Sequence, residues 1–482
     1  IVNSAVGRQT TSAWCVKQNN PRTHAGTARR AGGTPWARTR SARSMPPTGQ
    51  ADCSLHRFPT IAPETTMPTD LNPPPPQRHR LGEWMAREEA HMAAFREKVA
   101  AEARAQAGDR LRTPAVQELA RLFDDHAVLR MSLVRAIDEA VESGRRLGYA
   151  SIGELMTVLD HLMTYTPPFS DASLIVCPIN AFLDWPMCMP SGHAVFRDAT
   201  VNAHLQNVLN VWCGFLGGPH SRTHLDTSAP DGWFCDAARK RIGLSQFQYR
   251  DDQPHGGFTS WNDFFTRRFR EGERPVAAPD DPHVIVSACE AAPYHVESNV
   301  KLRDRFWIKA QPYSLRDIFT PARLSLAERF VGGDLYQAYL SAYNYHRWHA
   351  PVRGVVTHAY RVHGTYYSVV EAEGPDPAGL NDSQGYMTAV ATRAVVAIAC
   401  DDPGIGTVAA VFVGMGDVSS CVIDVVPGQR VDKGDEIGYF QFGGSTCCLL
   451  FEAGVIDRFV PAPPFGHDTA VVNVNSPVAI AR

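Results

Sequence analysis

The sequence has no run of the roughly 18 apolar residues that a membrane-spanning helix needs, and no apolar stretch at its N-terminus like that of a secretory signal. Both absences argue against membrane spanning and Sec-type export. Its 11 cysteines include no Cys-x-x-Cys pair, and several sit in apolar surroundings, such as Cys213 beside Trp212 and Cys400 after Val395, Val396 and Ile398. An intracellular, reduced protein is expected, cytoplasmic or mitochondrial. No internal repeat is evident. Charge of one sign does not dominate: 47 Lys and Arg face 50 Asp and Glu, a net of −3 over 482 residues, so the chain as a whole suggests neither a nucleic-acid binder nor an acidic-substrate trap.

That average conceals an asymmetry. Residues 1–80 hold 11 Lys and Arg against 3 Asp and Glu, a net of +8; removing them from the totals leaves 36 against 47, or −11, for the remainder. The first 80 residues are rich in Arg, Thr, Ser, Ala and Pro and close on Pro73 to Pro76, so they read as a disordered basic tail. Two origins stay open for it: a mitochondrial transit peptide, or a truncated or over-extended gene model, with Met67 as one possible true start.

The remaining length and the 44% hydrophobic content predict two further units in an α+β protein. Residues 81–255 carry helical signals. Thr113-Pro114 reads as an N-cap and N1 pair before Val116, Leu119 and Phe123; Ser151 and Glu154 read as a capping box; Val201, Leu205, Val208 and Trp212 share one helical face. Residues 256–482 are β-rich, with strand-like runs at Val352 to His358, Tyr366 to Glu371, Ala394 to Ile398 and Val408 to Val413. From Val426 to Glu436, Pro427-Gly428 and Lys433-Gly434-Asp435 predict two tight turns flanking short strands.

Three stretches carry chemistry. In Gly443-Gly444-Ser445-Thr446 the glycines permit strained backbone, and the Ser445 hydroxyl neighbours the Gly444 carbonyl; taken alone the four residues read as a turn. Tyr345-His346-Arg347-Trp348-His349-Ala350-Pro351-Val352 offers two imidazoles able to serve as base and acid near neutral pH; a metal pair is the competing reading, but no further ligand cluster accompanies it. Ser260 to Phe269 places Phe264, Phe265 and Phe269 in a helical apolar cluster beside Arg267 and Arg268.

Together, in this order, these stretches resemble the phosphatidylserine decarboxylase family, with its Phe-Phe-x-Arg-Arg, Tyr-His-Arg-x-His-x-Pro-Val and Gly-Ser-Thr motifs. Lys309 to Leu315, Gly364-Thr365-Tyr366 and Val411-Phe412-Val413-Gly414 support the match. The helical region is similar to the accessory domain of the fungal branch that includes L-tryptophan decarboxylases. The resemblance implies a β-rich catalytic domain over 256–482, cut by its own chemistry between Gly444 and Ser445 so that residue 445 becomes a pyruvoyl cofactor. Ser445 would attack the Gly444 carbonyl to form an ester, and loss of its α-proton would split the chain by β-elimination.

By the same resemblance His349 is the base. The family's orienting Asp falls on Glu290, one methylene longer, and Ala310 stands where the family has Gly. His346 is the candidate proton donor to the carbanion left by decarboxylation, which the pyruvoyl group would stabilise through a Schiff base to the substrate's amine. No metal and no pyridoxal phosphate are expected. The partners expected are a small amino acid or phospholipid head group and the two cleavage fragments, with no nucleic acid.

The acidic body disfavours anionic membranes, so a free aromatic amino acid such as L-tryptophan is the expected substrate. Phosphatidylserine is the alternative, and an unprocessed, non-catalytic scaffold is a second. The turn at Lys433-Gly434 suggests a weaker third reading, a lipoyl-type carrier.

Overall fold

In the helical half, sequence signals become starts and buried faces. Helix α1 spans Glu89–Gln106, α2 Pro114–Asp125, α3 Ala127–Glu142 and α4 Ile152–Leu162. Pro114 opens α2 at a position where its missing N–H costs no helical bond, although the Thr113 hydroxyl makes no capping bond. Val116, Leu119 and Phe123 are buried. Ser151 caps α4 by accepting from the Glu154 N–H at 3.2 Å, and the Glu154 carboxylate reaches back to the Ala150 N–H at 2.8 Å. Helices α5 (Pro178–Cys188), α6 (Pro190–Val195), α7 (Ala199–Leu216), α8 (Asp236–Ile242) and α9 (Trp261–Phe265) follow. Every residue of α5 is buried, as suits a helix enclosed on all sides. Val201, Leu205, Val208 and Trp212 form the buried face of α7.

This computed structural model describes residues 84–86, 88–108, 110–171, 174–303, 313–370, 383–417, 419–442, 446–465 and 469–482. The expected basic tail (1–80), Lys309, Ala310, Gly444 and Ser445 lie outside them. Residues 74–482 form one compact unit by contacts, so helical and β-rich regions are described together. One apolar cluster runs from Trp84 through α5 and α7 to Cys448 and Leu450.

The described strands form three antiparallel sheets. Strands β1 (Val284–Val286), β2 (Ala292–Ser298), β3 (Asp334–Tyr339) and β4 (Arg347–His349) precede β5 (Gly354–Val362), β6 (Arg393–Cys400) and β7 (Thr407–Val413). Then come β8 (Ser420–Ile423), β9 (Arg430–Val431), β10 (Glu436–Gln441), β11 (Thr446–Phe451), β12 (Ile456–Phe459) and β13 (Pro477–Ala481). The seven-stranded sheet has the order β2-β3-β11-β7-β6-β5-β9; the smaller ones are β4-β10-β8 and β1-β13-β12. β6, β7 and β11 read as apolar runs because both faces are covered; all residues of β7 and β11 are buried.

Two local expectations fail for tertiary reasons. Tyr366–Val370 is not a strand: the Tyr366 N–H donates to Asn202 Oδ1 on α7 and the Val370 N–H to Ser383 Oγ, so side chains take the bonds a ladder would use; Glu371 lies outside the described residues. Phe269 is not on a helix, since α9 stops at Phe265; it bridges to Phe247 instead and stacks on that ring at 4.5 Å. The two turns do form, at Gly428 (φ 91°) and Gly434 (φ 89°).

A buried carboxylate ties the two halves. Asp417 accepts from the Ile179 and Asn180 N–H groups at the start of α5, at 2.8 and 2.7 Å, and from the Tyr367 hydroxyl at 2.9 Å. Asp417→Asn would set an amide donor against one of these donors, costing about 1–3 kcal/mol. The expected result is a lower midpoint in chemical denaturation; an unchanged midpoint would remove this tie from the account.

Candidate active site

The chain entering β4 sets the site. Leading into the strand, Tyr345 and His349 fall on one face by even spacing, while His346 turns the other way. β4 pairs with β10 through Arg347↔Tyr439, Trp348↔Gly438 and His349↔Glu436. The Phe440 N–H donates to the His346 carbonyl at 3.0 Å.

His349 is nearly enclosed, and both ring nitrogens are occupied. Nδ1 lies 2.6 Å from the Gly434 carbonyl and Nε2 2.8 Å from the Tyr345 hydroxyl. A carbonyl can only accept, so Nδ1 carries the proton and Nε2 offers its lone pair to the Tyr345 O–H. Burial lowers the His349 pKa; the Gly434 carbonyl, Glu436 and Asp435 oppose that shift and Arg347 adds to it. Gly434 is required here twice over: its φ is left-handed, and a Cβ would approach Val276 Cγ2 to 2.4 Å.

Glu290 does not orient His349. Its carboxylate is held by Arg274 in a two-pronged pair at 2.7 and 2.8 Å and accepts from the Val474 N–H at 3.3 Å. A guanidinium matches a carboxylate in just this planar way, which leaves the longer acid turned to Arg274 and not to the imidazole. The contacts of the His349 ring nitrogens are instead the Gly434 carbonyl and the Tyr345 hydroxyl. Neither was assigned a role from sequence, although the even spacing of Tyr345 and His349 was a usable signal.

His346 is fully buried between aromatic rings, 3.9 Å from Phe265 in a stack and 5.6 Å from Trp84. Neither ring nitrogen meets a partner at hydrogen-bond geometry. Burial, then the Arg267 charge, hold its pKa well below the usual imidazole range, against weaker help from the backbone of Phe265 and Ser341. It is a neutral ring at physiological pH. Arg267, itself fully enclosed, is pushed down to about 10 by burial and donates to the Tyr343 carbonyl at 2.6 Å.

The expected cleavage residues Gly444 and Ser445 lie outside the described residues, but the chain on both sides is fixed. Upstream, Phe442 has φ 46°, a strained value for a bulky side chain. Its N–H donates to Asn262 Oδ1 at 3.0 Å, and its ring sits against Trp212 (4.4 Å), Trp261 (4.9 Å) and Phe265 (5.7 Å). Downstream, Thr446 is fully buried; its hydroxyl donates to the Ala338 carbonyl at 2.9 Å and accepts from Gln337 Nε2 at 3.0 Å. His349 connects to this end in two steps: its N–H donates to the Ala288 carbonyl at 2.9 Å, and the Cys289 thiol lies against Cys447.

A cavity of about 610 Å³ beside β4 is lined in part by Thr266, Arg267, Arg268 and Arg347; Glu436 pairs with both Arg268 and Arg347. Lys433 is not presented for modification. Its Nζ is buried against the Ala278, Asp281 and Val284 carbonyls at 2.6–2.9 Å, which removes the basis for a carrier. No helix of the described residues is long and apolar enough to cross a membrane.

Comparison with known proteins gives the same motifs a family. A sequence model described as phosphatidylserine decarboxylase matches residues 261–463, and a second with the same description matches 113–242. Decarboxylase iboD of Amanita muscaria is 37% identical over 280 residues, covering 54% of this chain and 79% of that protein. L-tryptophan decarboxylase of Psilocybe cyanescens is 32% identical over 337 residues, 63% of this chain and 74% of the relative. Phosphatidylserine decarboxylase proenzyme 3 of Schizosaccharomyces pombe is 34% identical over 204 residues, 42% of this chain and 20% of that longer protein. With the Amanita and Psilocybe relatives matched over 79% and 74% of their own length, and with the histidine-bearing strand and the Gly-Ser-Thr junction in the matched region, the chain belongs to the phosphatidylserine decarboxylase family and is a decarboxylase.

Proposed function

We propose that this chain is a self-processing decarboxylase that cuts itself between Gly444 and Ser445 and acts on a free aromatic amino acid. The observation that carries the reading is the pinned junction. A strained, caged Phe442 and a hydrogen-bonded Thr446 hold the chain on either side of the three residues that contain the bond to be cut. In the precursor, Ser445 Oγ attacks the Gly444 carbonyl; the amide C–N bond breaks as the ester forms, leaving a free amine on residue 445. His349 takes the Ser445 α-proton, and the Gly444 carboxylate leaves. Water then replaces the nitrogen of the dehydroalanine, releasing ammonia.

Group 445 then supplies a ketone for the substrate's amine and a carbonyl sink for the electrons left when carbon dioxide departs. The chain's own residues do the rest. The strong pairing of β11 to β3 and β7 keeps the 38 residues from 445 to 482 bound after the cut. His346, neutral at rest and held in place by Phe265 and Trp84, must first take up a proton and then gives it to the carbanion as imidazolium, since a neutral ring could release a proton only as imidazolate. A helical accessory region over 81–255 contributes Trp84 and Trp212 to the walls around this catalytic region over 256–482.

The aromatic substrate rests on the tryptophan-decarboxylating relatives and on the body's net charge of −11, unsuited to an anionic bilayer. Purified protein is expected to release carbon dioxide from tryptophan, phenylalanine or tyrosine, and little from phosphatidylserine in micelles; the reverse preference would overturn the substrate assignment. His346→Phe retains the ring stack and removes both nitrogens. Processing is expected to persist while turnover falls by at least about a hundredfold, the low end of general acid–base contributions, and full turnover in this variant would contradict the role of His346.

A further inference from the structure

Five guanidinium groups line the cavity of about 610 Å³ beside β4, those of Arg250, Arg267, Arg268, Arg270 and Arg347. Among the described residues Asp263 is the one carboxylate in that lining, and Glu436 acts on it through its ion pairs with Arg268 and Arg347. Five positive charges against these two negative ones leave +3 in one cavity, whereas residues 81–482 as a whole carry −11. A basic hollow in an acidic body draws anions to that place and away from the surface around it.

Part of this charge has a structural use. Arg270 donates to the Phe247 and Tyr249 carbonyls at 2.7 and 3.2 Å, Arg347 to the Thr266 carbonyl at 2.7 Å, and Arg267 to the Tyr343 and Asn344 carbonyls at 2.6 and 3.2 Å. Those partners are neutral, so they satisfy N–H groups without cancelling charge. Among the described residues Arg267 forms no ion pair, and its buried Nε has no partner. Glu290 acts on it through space, but that carboxylate is gripped by Arg274. The Arg267 charge faces the rings of Phe247 at 4.3 Å and Phe264 at 5.4 Å. A charge enclosed without a counter-ion is costly, and an anion in the adjoining space relieves it. Asp263 is already engaged, accepting from the Thr259 N–H and hydroxyl, both at 2.9 Å. Arg250 is exposed, and its guanidinium has no partner among the described residues. Gly257, with φ 83°, leaves room for that guanidinium, since a Cβ there would come within 2.7 Å of Arg250 Nε.

We propose that this cavity binds a soluble phosphate-bearing anion, held by Arg250, Arg268 and Arg270 and drawn in by the charges of Arg267 and Arg347. A guanidinium presents paired N–H groups that match two oxygens of a phosphate, and the three exposed arginines keep N–H groups free for that purpose among the described residues. A dianion suits a site of +3 better than a single carboxylate, which leaves two charges unmatched. The volume is that of a small-molecule site and leaves room for an organic group esterified to the phosphate. A lipid head group in a bilayer suits the lining less well. Its apolar members, Tyr249 and Phe258, are buried, whereas a surface that docks on membranes presents exposed apolar side chains. Neither self-cleavage nor the identity of the amino acid substrate enters this binding.

Isothermal titration of the purified full chain with inorganic phosphate, at an ionic strength fixed with sodium chloride, tests this. One saturable site is expected, weaker as sodium chloride is raised. Arg250→Gln removes an exposed charge that supports no contact in the fold, and is expected to weaken phosphate binding about fivefold, the upper end for one screened ion pair. Glu436→Gln removes the competing carboxylate from Arg268 and Arg347 and is expected to tighten binding by a similar factor, a gain that a purely structural role of these arginines does not produce. No saturable binding by the wild type, or an affinity unchanged in either variant, would overturn the proposal. Cosedimentation with vesicles of phosphatidylcholine and phosphatidic acid that is lost in Arg250→Gln and not reversed by inorganic phosphate would overturn the choice of a soluble ligand.

Discussion

Strand β11 is hydrogen-bonded on both edges, Thr446 to Phe451 facing Tyr339 to Asp334 of β3 on one side and Val413 to Val408 of β7 on the other. That double pairing governs the rest of the site. It buries the strand completely, fixes Thr446 through Gln337 and Ala338, and sets the point at which the chain must cross from the small β4-β10-β8 sheet to the large one. The crossing is only four residues long between Gln441 and Thr446, and its first member, Phe442, is forced to a positive φ. A break in this crossing would leave β11 with both neighbours and with the apolar contacts of a core strand.

The helical half is part of the same construction. Trp84 donates from its indole to the Leu340 carbonyl at 2.7 Å and covers His346, while Trp212 of α7 covers Phe442. Asp417 joins α5 to the Tyr367 segment. One continuous apolar cluster therefore serves helices and sheet, and the surroundings of the histidine and of the junction are shared between regions that differ in composition and period.

Much of this was legible in the sequence where local rules act. The Ser151 cap, the buried face of α7, the strands β5, β6 and β7, and the turns at Gly428 and Gly434 follow from capping, periodicity and glycine's tolerance of positive φ. The misses share a different cause. Tyr366–Val370 has strand-forming residues, but Asn202 and Ser383, far away in sequence, take its N–H groups. Glu290 is expected beside His349 because both occupy family positions, yet its carboxylate is held by Arg274 in a matching fork. The Gly434 carbonyl, 85 residues from His349, has no side chain to advertise it. Tyr345 was visible in the motif, and only its spacing from His349 hinted that the two share a face.

Self-cleavage at Gly444-Ser445 would make the mature protein two chains with a group made from Ser445 at the head of the smaller one. The intact mass of the purified protein under denaturing conditions tests it directly. The expected result is a fragment ending at Gly444 and a fragment of the 38 residues 445–482 that is lighter by one ammonia than the same peptide with a free serine at its start. A single uncut chain, or a small fragment that retains its serine nitrogen, would contradict it.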